Sequence, residues 1–231
     1  MLLYLACIAP ALLFMLYAQS KVSSAYKKYS KISNMQGITG AQAAQRLLRA
    51  NGLNNVNIES TKGKLTDHYD SRHKVLRLSR DVYASPSVAA LGIVAHEVGH
   101  AVQDRVDYIP MKARSALVPV ANVGTHLGYI FFFLGLILYI FGAGFGYNIL
   151  WLGIFLFSAA VLFTLVTLPV EYNASNRARQ MLRSTGLVSV KEYDAVSAVL
   201  SAAALTYVAA ALQALANLFY FILVALGMGQ R

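Results

Sequence analysis

The chain has 231 residues, of which 57% are hydrophobic and 13% are charged, and its formal net charge is +10. An average soluble domain has about 25% charged residues, so this shortfall predicts a protein that lies largely in lipid. The single cysteine, Cys7, excludes an internal disulfide and a metal site built from several thiolates.

The basic residues lie beside apolar runs rather than in a nucleic-acid-binding pattern. Nineteen of the twenty Lys and Arg fall within residues 21–114 and 177–191. This distribution is typical of cytoplasmic loops that flank membrane helices. No aromatic-interleaved basic motif accompanies the charge, so we expect no nucleic-acid partner. Four lysines are instead expected near anionic headgroups of the lipid bilayer: Lys21, Lys27, Lys28 and Lys31.

Four apolar stretches predict four transmembrane helices. In chain order they are Leu2 to Ala18, Ala116 to Phe141, Tyr147 to Pro169 and Ala202 to Leu226. Each is long enough, because a spanning helix needs about 17–25 residues. The first could be a signal peptide, but it lacks a positive n-region and lysines follow it, so we interpret it as a retained anchor.

The segment "GAGFGYN" (142–148) is uncharged and glycine-rich, and it predicts a turn that joins the second and third helices into a membrane hairpin. The positive-inside rule then places residues 19–115 and 170–200 in the cytoplasm, with both termini and the turn outside. The predicted segments are transmembrane helix 1 (1–19), a cytoplasmic α+β region (20–115), the hairpin (116–170), a cytoplasmic helical segment (171–200) and transmembrane helix 4 (201–231).

The larger cytoplasmic segment contains patterns of both helix and strand. Residues 37–53 have helical periodicity and end at Asn51-Gly52, a plausible C-cap. "VNIES" and "KVLRLS" alternate apolar and polar residues and predict a β-hairpin or a three-stranded sheet, with Asp67 and Asp70 as turn residues. A helix is expected from about 86 to 104, with Ser85 as N-cap and Pro86 in the first turn.

The sequence "HEVGH" lies in the middle of that last helix. His96 and His100 are one turn apart on one face, so both imidazoles can reach one Zn²⁺. Glu97 could act as a general base on a water at the metal, and Gly99 leaves space beside the second ligand. The alternative is a helix with two ordinary histidines. Its apolar neighbours favour the metal, because a buried polar triplet is costly unless it is satisfied.

A catalytic zinc site usually has three protein ligands, and Glu171 is the predicted third. It directly follows the third apolar run, at the predicted cytoplasmic end of that helix, where an acid is costly and usually functional. The alternative is an interfacial acid paired with Arg177 or Arg179. Of the other glutamates, Glu59 lies in the expected sheet and Glu192, with Asp194, lies in a stretch that looks solvated.

Three further histidines compete with Glu171 as the third ligand. They are His68, His73 and His126. We interpret His73 as a solvated turn residue and His126 as a hydrogen-bonded packing residue inside the second membrane helix.

The segments "HEVGHAVQ" and "EYNAS", on either side of a predicted membrane hairpin, resemble the YugP-like neutral zinc metallopeptidases of bacterial membranes. "TDHYDSRHKVLRLS" is also similar, so the resemblance covers most of residues 60–185. It implies a multi-pass protein of the bacterial plasma membrane that binds one Zn²⁺. The predicted fold is mainly α and polytopic, with four transmembrane helices and a small α+β, zincin-like cytoplasmic region.

More remotely, the layout is similar to HtpX and the CAAX prenyl-protein endopeptidases, in which H-E-x-x-H is followed by membrane helices and E-x-x-x-D. This likeness implies that Glu171 completes the zinc site, as in gluzincin-type enzymes. The acid that supports a zinc-binding histidine in those relatives is here Ser175, which can bond an imidazole but supplies no charge. Ser175 is therefore either such a support or a helix-surface residue.

A peptidase also needs a group that stabilises the developing oxyanion. Candidates are His68 and Tyr69, and also Arg177 or Arg179 beyond Glu171. By analogy with zinc peptidases, the strand "KVLRLS" could present an edge to an extended substrate.

These observations predict a zinc-dependent metalloendopeptidase of the membrane that hydrolyses membrane or unfolded polypeptides, and they predict no particular oligomeric state. One alternative is a site-2-type intramembrane protease, but its motif would need a membrane-embedded helix, and residues 86–104 lack a spanning apolar run. The other is a non-catalytic scaffold with a structural metal or none. Structural zinc sites usually have four ligands and are rich in cysteine, and no fourth ligand is evident.

Overall fold

The computed structural model describes residues 2–229, which form two compact units. The helical unit comprises the described parts of residues 1–17, 112–168 and 207–231, and the mixed unit comprises residues 18–111 and 169–206. The predicted five-segment division stays a prediction. The elements are α1 (Leu2–Tyr29), α2 (Gly40–Ala50), β1 (Asn57–Thr61), β2 (His68–Asp70), β3 (Val75–Ser79), α3 (Arg80–Ala84), α4 (Val88–Arg105), α5 (Ile109–Ile140), α6 (Gly146–Ser184) and α7 (Val190–Met228).

Among the described residues, four helices are long and apolar enough to cross a membrane: α1, α5, α6 and α7. They contain the four predicted apolar stretches, except that Phe141 lies one residue beyond α5, and they confirm the mainly α, polytopic fold. α6 and α7 each have 39 residues and extend well beyond their apolar runs. The extensions exist because Glu, Gln, Arg and Lys are good helix formers and continue the same backbone hydrogen bonding.

In the helical unit, α5 and α6 approach closely at glycines. A Cβ at Gly135 would lie 2.3 Å from the backbone nitrogen of Leu150, and one at Gly153 would lie 2.4 Å from that of Phe132. Small residues allow such contact between membrane helices, where dispersion forces and not the hydrophobic effect drive association. The turn between these helices covers residues 141–145 and is shorter than predicted, since α6 already begins at Gly146.

The mixed unit contains a three-stranded sheet in the order β1-β3-β2. Of the two predicted alternatives, a β-hairpin and a three-stranded sheet, the sheet is the one observed. β1 is parallel and β2 antiparallel to β3. The expectation that "KVLRLS" offers an edge to a substrate is therefore wrong. β3 is the central strand because its apolar residues Val75, Leu76 and Leu78 are buried, and the shorter or more exposed β1 and β2 form the edges.

The motif helix α4 begins slightly later than predicted. Its N-cap is Ser87, whose hydroxyl accepts the Ala90 N–H at 3.2 Å, and not Ser85, which follows the short helix α3. α4 is buried along most of its length against α2, the sheet and part of α6. The predicted end of α2 at Asn51 is found, with Gly52 in the left-handed conformation at φ +65°.

Candidate metal centre

Two elements of the mixed unit bring the three predicted ligands together. His96 and His100 lie one turn apart on α4, and Glu171 lies on α6. Glu171 Oε2 is 3.1 Å from His96 Nε2 and 3.6 Å from His100 Nε2. One ligand atom from each residue lies within 4.8 Å of the others, and Glu171 is only 2% exposed. The cluster is therefore buried and convergent.

The donor set fits a zinc ion. Ligand atoms bonded to a tetrahedral Zn²⁺ at about 2.0–2.1 Å lie about 3.3 Å apart, and the two measured nitrogen–oxygen distances bracket this value. Two imidazoles and one carboxylate are also a ligand combination of catalytic zinc sites, which leave one position open.

Hydrogen bonds on the far side of each ring orient the two imidazoles. His100 Nδ1 lies 2.9 Å from Gln103 Oε1, and His96 Nδ1 lies 3.2 Å from Ser175 Oγ. An amide oxygen only accepts, so His100 carries its proton on Nδ1 and presents the Nε2 lone pair toward the cluster. The Ser175 hydroxyl can accept from His96 in the same way. Of the two alternatives for Ser175, the buried contact with the histidine is the one observed.

Gln103 is a residue of this site that the sequence analysis missed. Its side chain is fully buried, and its Nε2 donates to the Val170 carbonyl at 2.7 Å and to Asn173 Oδ1 at 3.0 Å. A carbonyl only accepts, so these bonds fix the amide orientation, and the side chain links α4 to α6 beside Glu171. The available signal was its spacing, three residues after His100 on the same face of an otherwise apolar helix.

Glu97 lies next to the first histidine and is half-buried. Its Oε2 accepts the backbone N–H of Tyr69 at 3.1 Å. Burial raises the pKa of the Glu97 carboxyl, and the neighbouring imidazoles oppose this shift. A carboxyl with a raised pKa is a better proton acceptor than a solvated one, which suits a general base.

The edge strand β2 carries the two predicted stabiliser residues. The Tyr69 hydroxyl donates to Asp104 Oδ2 at 2.7 Å, and the Lys74 ammonium donates to the same oxygen. The Tyr69 backbone, rather than its side chain, therefore contacts Glu97. His68 is exposed, and its Nδ1 lies 2.9 Å from the Thr66 carbonyl oxygen.

The two aspartates of "DHYD" differ in role. Asp70 accepts two backbone N–H groups of the following turn, as predicted. Bonds from Arg77 and His73 lower the pKa of the Asp70 carboxyl. The turn prediction is wrong for Asp67, which instead accepts the backbone N–H and the hydroxyl of Ser79, because the sheet brings the end of β3 beside it.

The remaining candidates lie outside the cluster. His73 is exposed, as predicted, whereas His126 is hydrogen-bonded to the Asn122 carbonyl but exposed rather than packed. Arg177 donates to Asn173, and Arg179 donates to Asn176 and Ser201.

Glu192 differs from the solvated acid that the sequence suggested. It is half-buried and accepts the Ser189 hydroxyl and the Met35 backbone N–H, at 2.8 Å and 2.6 Å. Asp194 is exposed, as expected.

The fold and the cluster together describe a membrane protein with a buried metal-binding candidate on an H-E-x-x-H helix. A family model described as "Putative neutral zinc metallopeptidase" matches residues 4–226. The chain is 44% identical over 225 residues to "Putative membrane protease YugP" of Bacillus subtilis (strain 168), which covers 97% of both chains. No solved structure matches the chain. The chain belongs to this zinc metallopeptidase family, which confirms the predicted resemblance.

Proposed function

We propose that this protein is a membrane zinc endopeptidase in which His96, His100 and Glu171 hold one Zn²⁺ ion. The observation that carries the proposal is the convergence of two imidazoles and one carboxylate, whose nitrogen–oxygen distances of 3.1 Å and 3.6 Å match the spacing of zinc ligands. The bonds of both Nδ1 atoms to neutral acceptors support it, because they leave the Nε2 lone pairs available. Family membership supports the same metal and the protease class.

Bound zinc would supply Lewis acidity to the scissile carbonyl and to a water molecule. Glu97 accepts the proton from that water and later delivers it to the leaving amine. The Tyr69 N–H holds one oxygen of this carboxylate and leaves the other available to the water. The raised pKa of Glu97 suits both transfers.

The group that stabilises the oxyanion stays a proposal. Tyr69 could stabilise the oxyanion only after its hydroxyl breaks the hydrogen bond to Asp104. His68 could do so only after its exposed side chain rotates. An extended substrate chain would pair with the edge strand β2, which contacts Glu97, and not with the central strand β3.

The proposed substrates are membrane proteins or unfolded polypeptides at the cytoplasmic face of a bacterial plasma membrane. Glu171 directly follows the apolar run of α6, so a membrane-crossing α6 would put it near the bilayer surface. The motif helix α4 is not among the four candidate spans within residues 2–229, which favours a site at the surface over a site-2-type site inside the bilayer.

Glu97→Gln tests the proposed reaction. The wild type and the variant are purified in detergent, their zinc is measured by mass spectrometry, and cleavage of an unfolded membrane protein is followed by gel. We expect equal zinc in both and cleavage by the wild type alone, because the amide keeps the shape but cannot accept the proton. Equal cleavage by both proteins would rule out Glu97 as the base. Cleavage by neither would favour the non-catalytic scaffold.

A further inference from the structure

A basic groove of about 660 Å³ lies in the mixed unit at the end of α1. Its walls come from three separate parts of the chain: the last turns of α1 and the following residues, the loop between β1 and β2, and α7 at Thr206. None of the candidate zinc residues lines it. Its lining includes three hydroxyl-bearing residues and three lysines: Ser23, Tyr26, Ser30, Lys27, Lys31 and Lys64.

Positive charge dominates this groove, and the acids that act on its Tyr26 hydroxyl, Asp67 and Asp81, lie outside its lining. No carboxylate is among its lining residues, and within residues 2–229 none of Lys27, Lys31 and Lys64 forms an ion pair. The Lys64 ammonium lies 5.6 Å from the centre of the Tyr26 ring. Three like charges in one groove repel each other, so an anion with several acceptor oxygens would relieve that repulsion. A phosphate group has that chemistry.

The membrane-proximal end of the groove along α1 lies at the depth of lipid headgroups. The hydrocarbon core is about 30 Å thick, so a helix rising about 1.5 Å per residue from Leu2 leaves it near Lys21. The headgroup layer on one side is about 5–7 Å thick, which covers about the next three to five residues. Ser23 and Tyr26 lie within that interval, whereas Lys27 directly follows it and Lys31 lies further out, so the lysine side chains must extend back toward the membrane to reach the phosphates.

The groove also has an apolar wall that a free phosphate would not need. Val22 and Leu65 line it, and Leu65 is 44% exposed. The backbone of Leu65 has φ +55°, a left-handed conformation that costs a residue with a Cβ about 1–2 kcal/mol. This conformation holds an apolar side chain exposed directly beside Lys64, where it could contact the glycerol and acyl part of a lipid.

We propose that this groove binds the phosphate headgroup of an anionic phospholipid. Lys27, Lys31 and Lys64 pair with the phosphate oxygens, and the Ser23 hydroxyl is a further donor. Leu65 and Val22 contact the apolar part of the same lipid. The site does not depend on the proposed peptidase activity, because it shares no residue with the zinc cluster.

The test uses the full chain, stripped of lipid in detergent, and titrates it with dioctanoyl phosphatidylglycerol while native mass spectrometry counts bound lipid. Dioctanoyl phosphatidylcholine and inorganic phosphate are titrated separately. We expect binding of phosphatidylglycerol in clear preference to both. The triple variant Lys27→Gln, Lys31→Gln, Lys64→Gln should bind it about a hundredfold more weakly, since each lysine near an anionic headgroup gives roughly a fivefold gain.

A matched control removes three positive charges outside the groove: Arg72→Gln, Arg80→Gln and Lys191→Gln, all at exposed positions. It should keep the wild-type affinity, and both triple variants should keep the wild-type unfolding temperature and zinc content. An equal loss in the control would show unspecific attraction and overturn the site. Equal binding of phosphatidylcholine, or binding of inorganic phosphate without phosphatidylglycerol, would overturn the anionic lipid as the ligand.

Discussion

Gln103 holds His100 in the position where many zinc sites use a carboxylate. It accepts the Nδ1–H of the histidine and donates to α6, so one buried amide orients a candidate ligand and links two helices. Ser175 contacts His96 in the corresponding place. Both supports are neutral. They fix the rings without adding negative charge to a buried site that already contains Glu97 and Glu171.

Gln103→Leu should weaken zinc binding by about 10–100-fold, because the variant leaves His100 free to turn and removes the link to α6. Competition with a chromophoric chelator measures the affinity. Gln180→Leu, at an exposed position on α6, is the matched control and should keep the wild-type value. An unchanged affinity in Gln103→Leu would show that the amide only fills space.

At the residue scale, sequence reasoning identifies groups whose chemistry is distinctive. The spacing of His96 and His100 suggests ligands, and Glu171 stands out because the chain has few glutamates and this one ends an apolar run. The spacing of Gln103 after His100 is a weaker signal, since buried amides serve many structural roles. The turn prediction for Asp67 is wrong because its partner, Ser79, is adjacent only after the sheet has formed.

The helices α4 and α6 approach each other closely at Gly99, one residue before His100. A Cβ at this position would lie 2.6 Å from the Ala174 carbonyl oxygen and 3.2 Å from the Ala174 Cα. The missing side chain therefore lets α6 come near enough for Glu171 to reach both histidines. The sequence predicts that Gly99 leaves space beside the second ligand, and in the structure the Ala174 backbone of α6 occupies that space.

Gly99→Ala should destabilise the protein by about 1–3 kcal/mol, because backbone atoms of α6 must move to admit the methyl group. It should also lower zinc occupancy by shifting Glu171. Gly92→Ala, on the same helix, is the control, since its Cβ would meet Val196 at ordinary van der Waals distances, with a methyl group nearest at 3.4 Å. It should be neutral or stabilising by up to about 1 kcal/mol, as alanine favours helix. Thermal unfolding in detergent measures both, and equal destabilisation would contradict the argument.

At the element scale, the sequence predicts apolar helices and alternating strands but not their neighbours or ends. Apolar runs marked all four long helices, yet α6 continues to Ser184 because helix formation does not require apolar residues. The central position of β3 depends on a parallel pairing with β1, and no turn sequence encodes such a pairing. For this reason the sequence predicts "KVLRLS" as a strand but not its central position in the sheet.

At the scale of the whole molecule, the distribution of charge predicts which side of the membrane each segment faces. Every Asp and Glu, and all basic residues except Arg231, lie in the two segments proposed to face the cytoplasm. The segments between them are apolar and include the four helices suited to spanning. The zinc cluster, which draws on both charged segments, would then lie at the cytoplasmic surface.

A reporter that is active only outside the cytoplasm, fused after residue 145, tests this orientation. The fusion point lies in the turn between α5 and α6. We expect full reporter activity there and none for a fusion after residue 62, in the loop between β1 and β2. Activity at residue 62, or none at residue 145, would contradict a cytoplasmic site.

The zinc content of the purified protein tests the central claim most directly. The wild type should carry stoichiometric zinc by mass spectrometry, and Glu171→Ala should carry much less, because removal of one of three ligands weakens the site. Glu59→Ala, a glutamate on the exposed edge strand β1, is the control and should retain the metal. Zinc-free wild type, or full occupancy in a folded Glu171→Ala, would contradict the proposed metal centre.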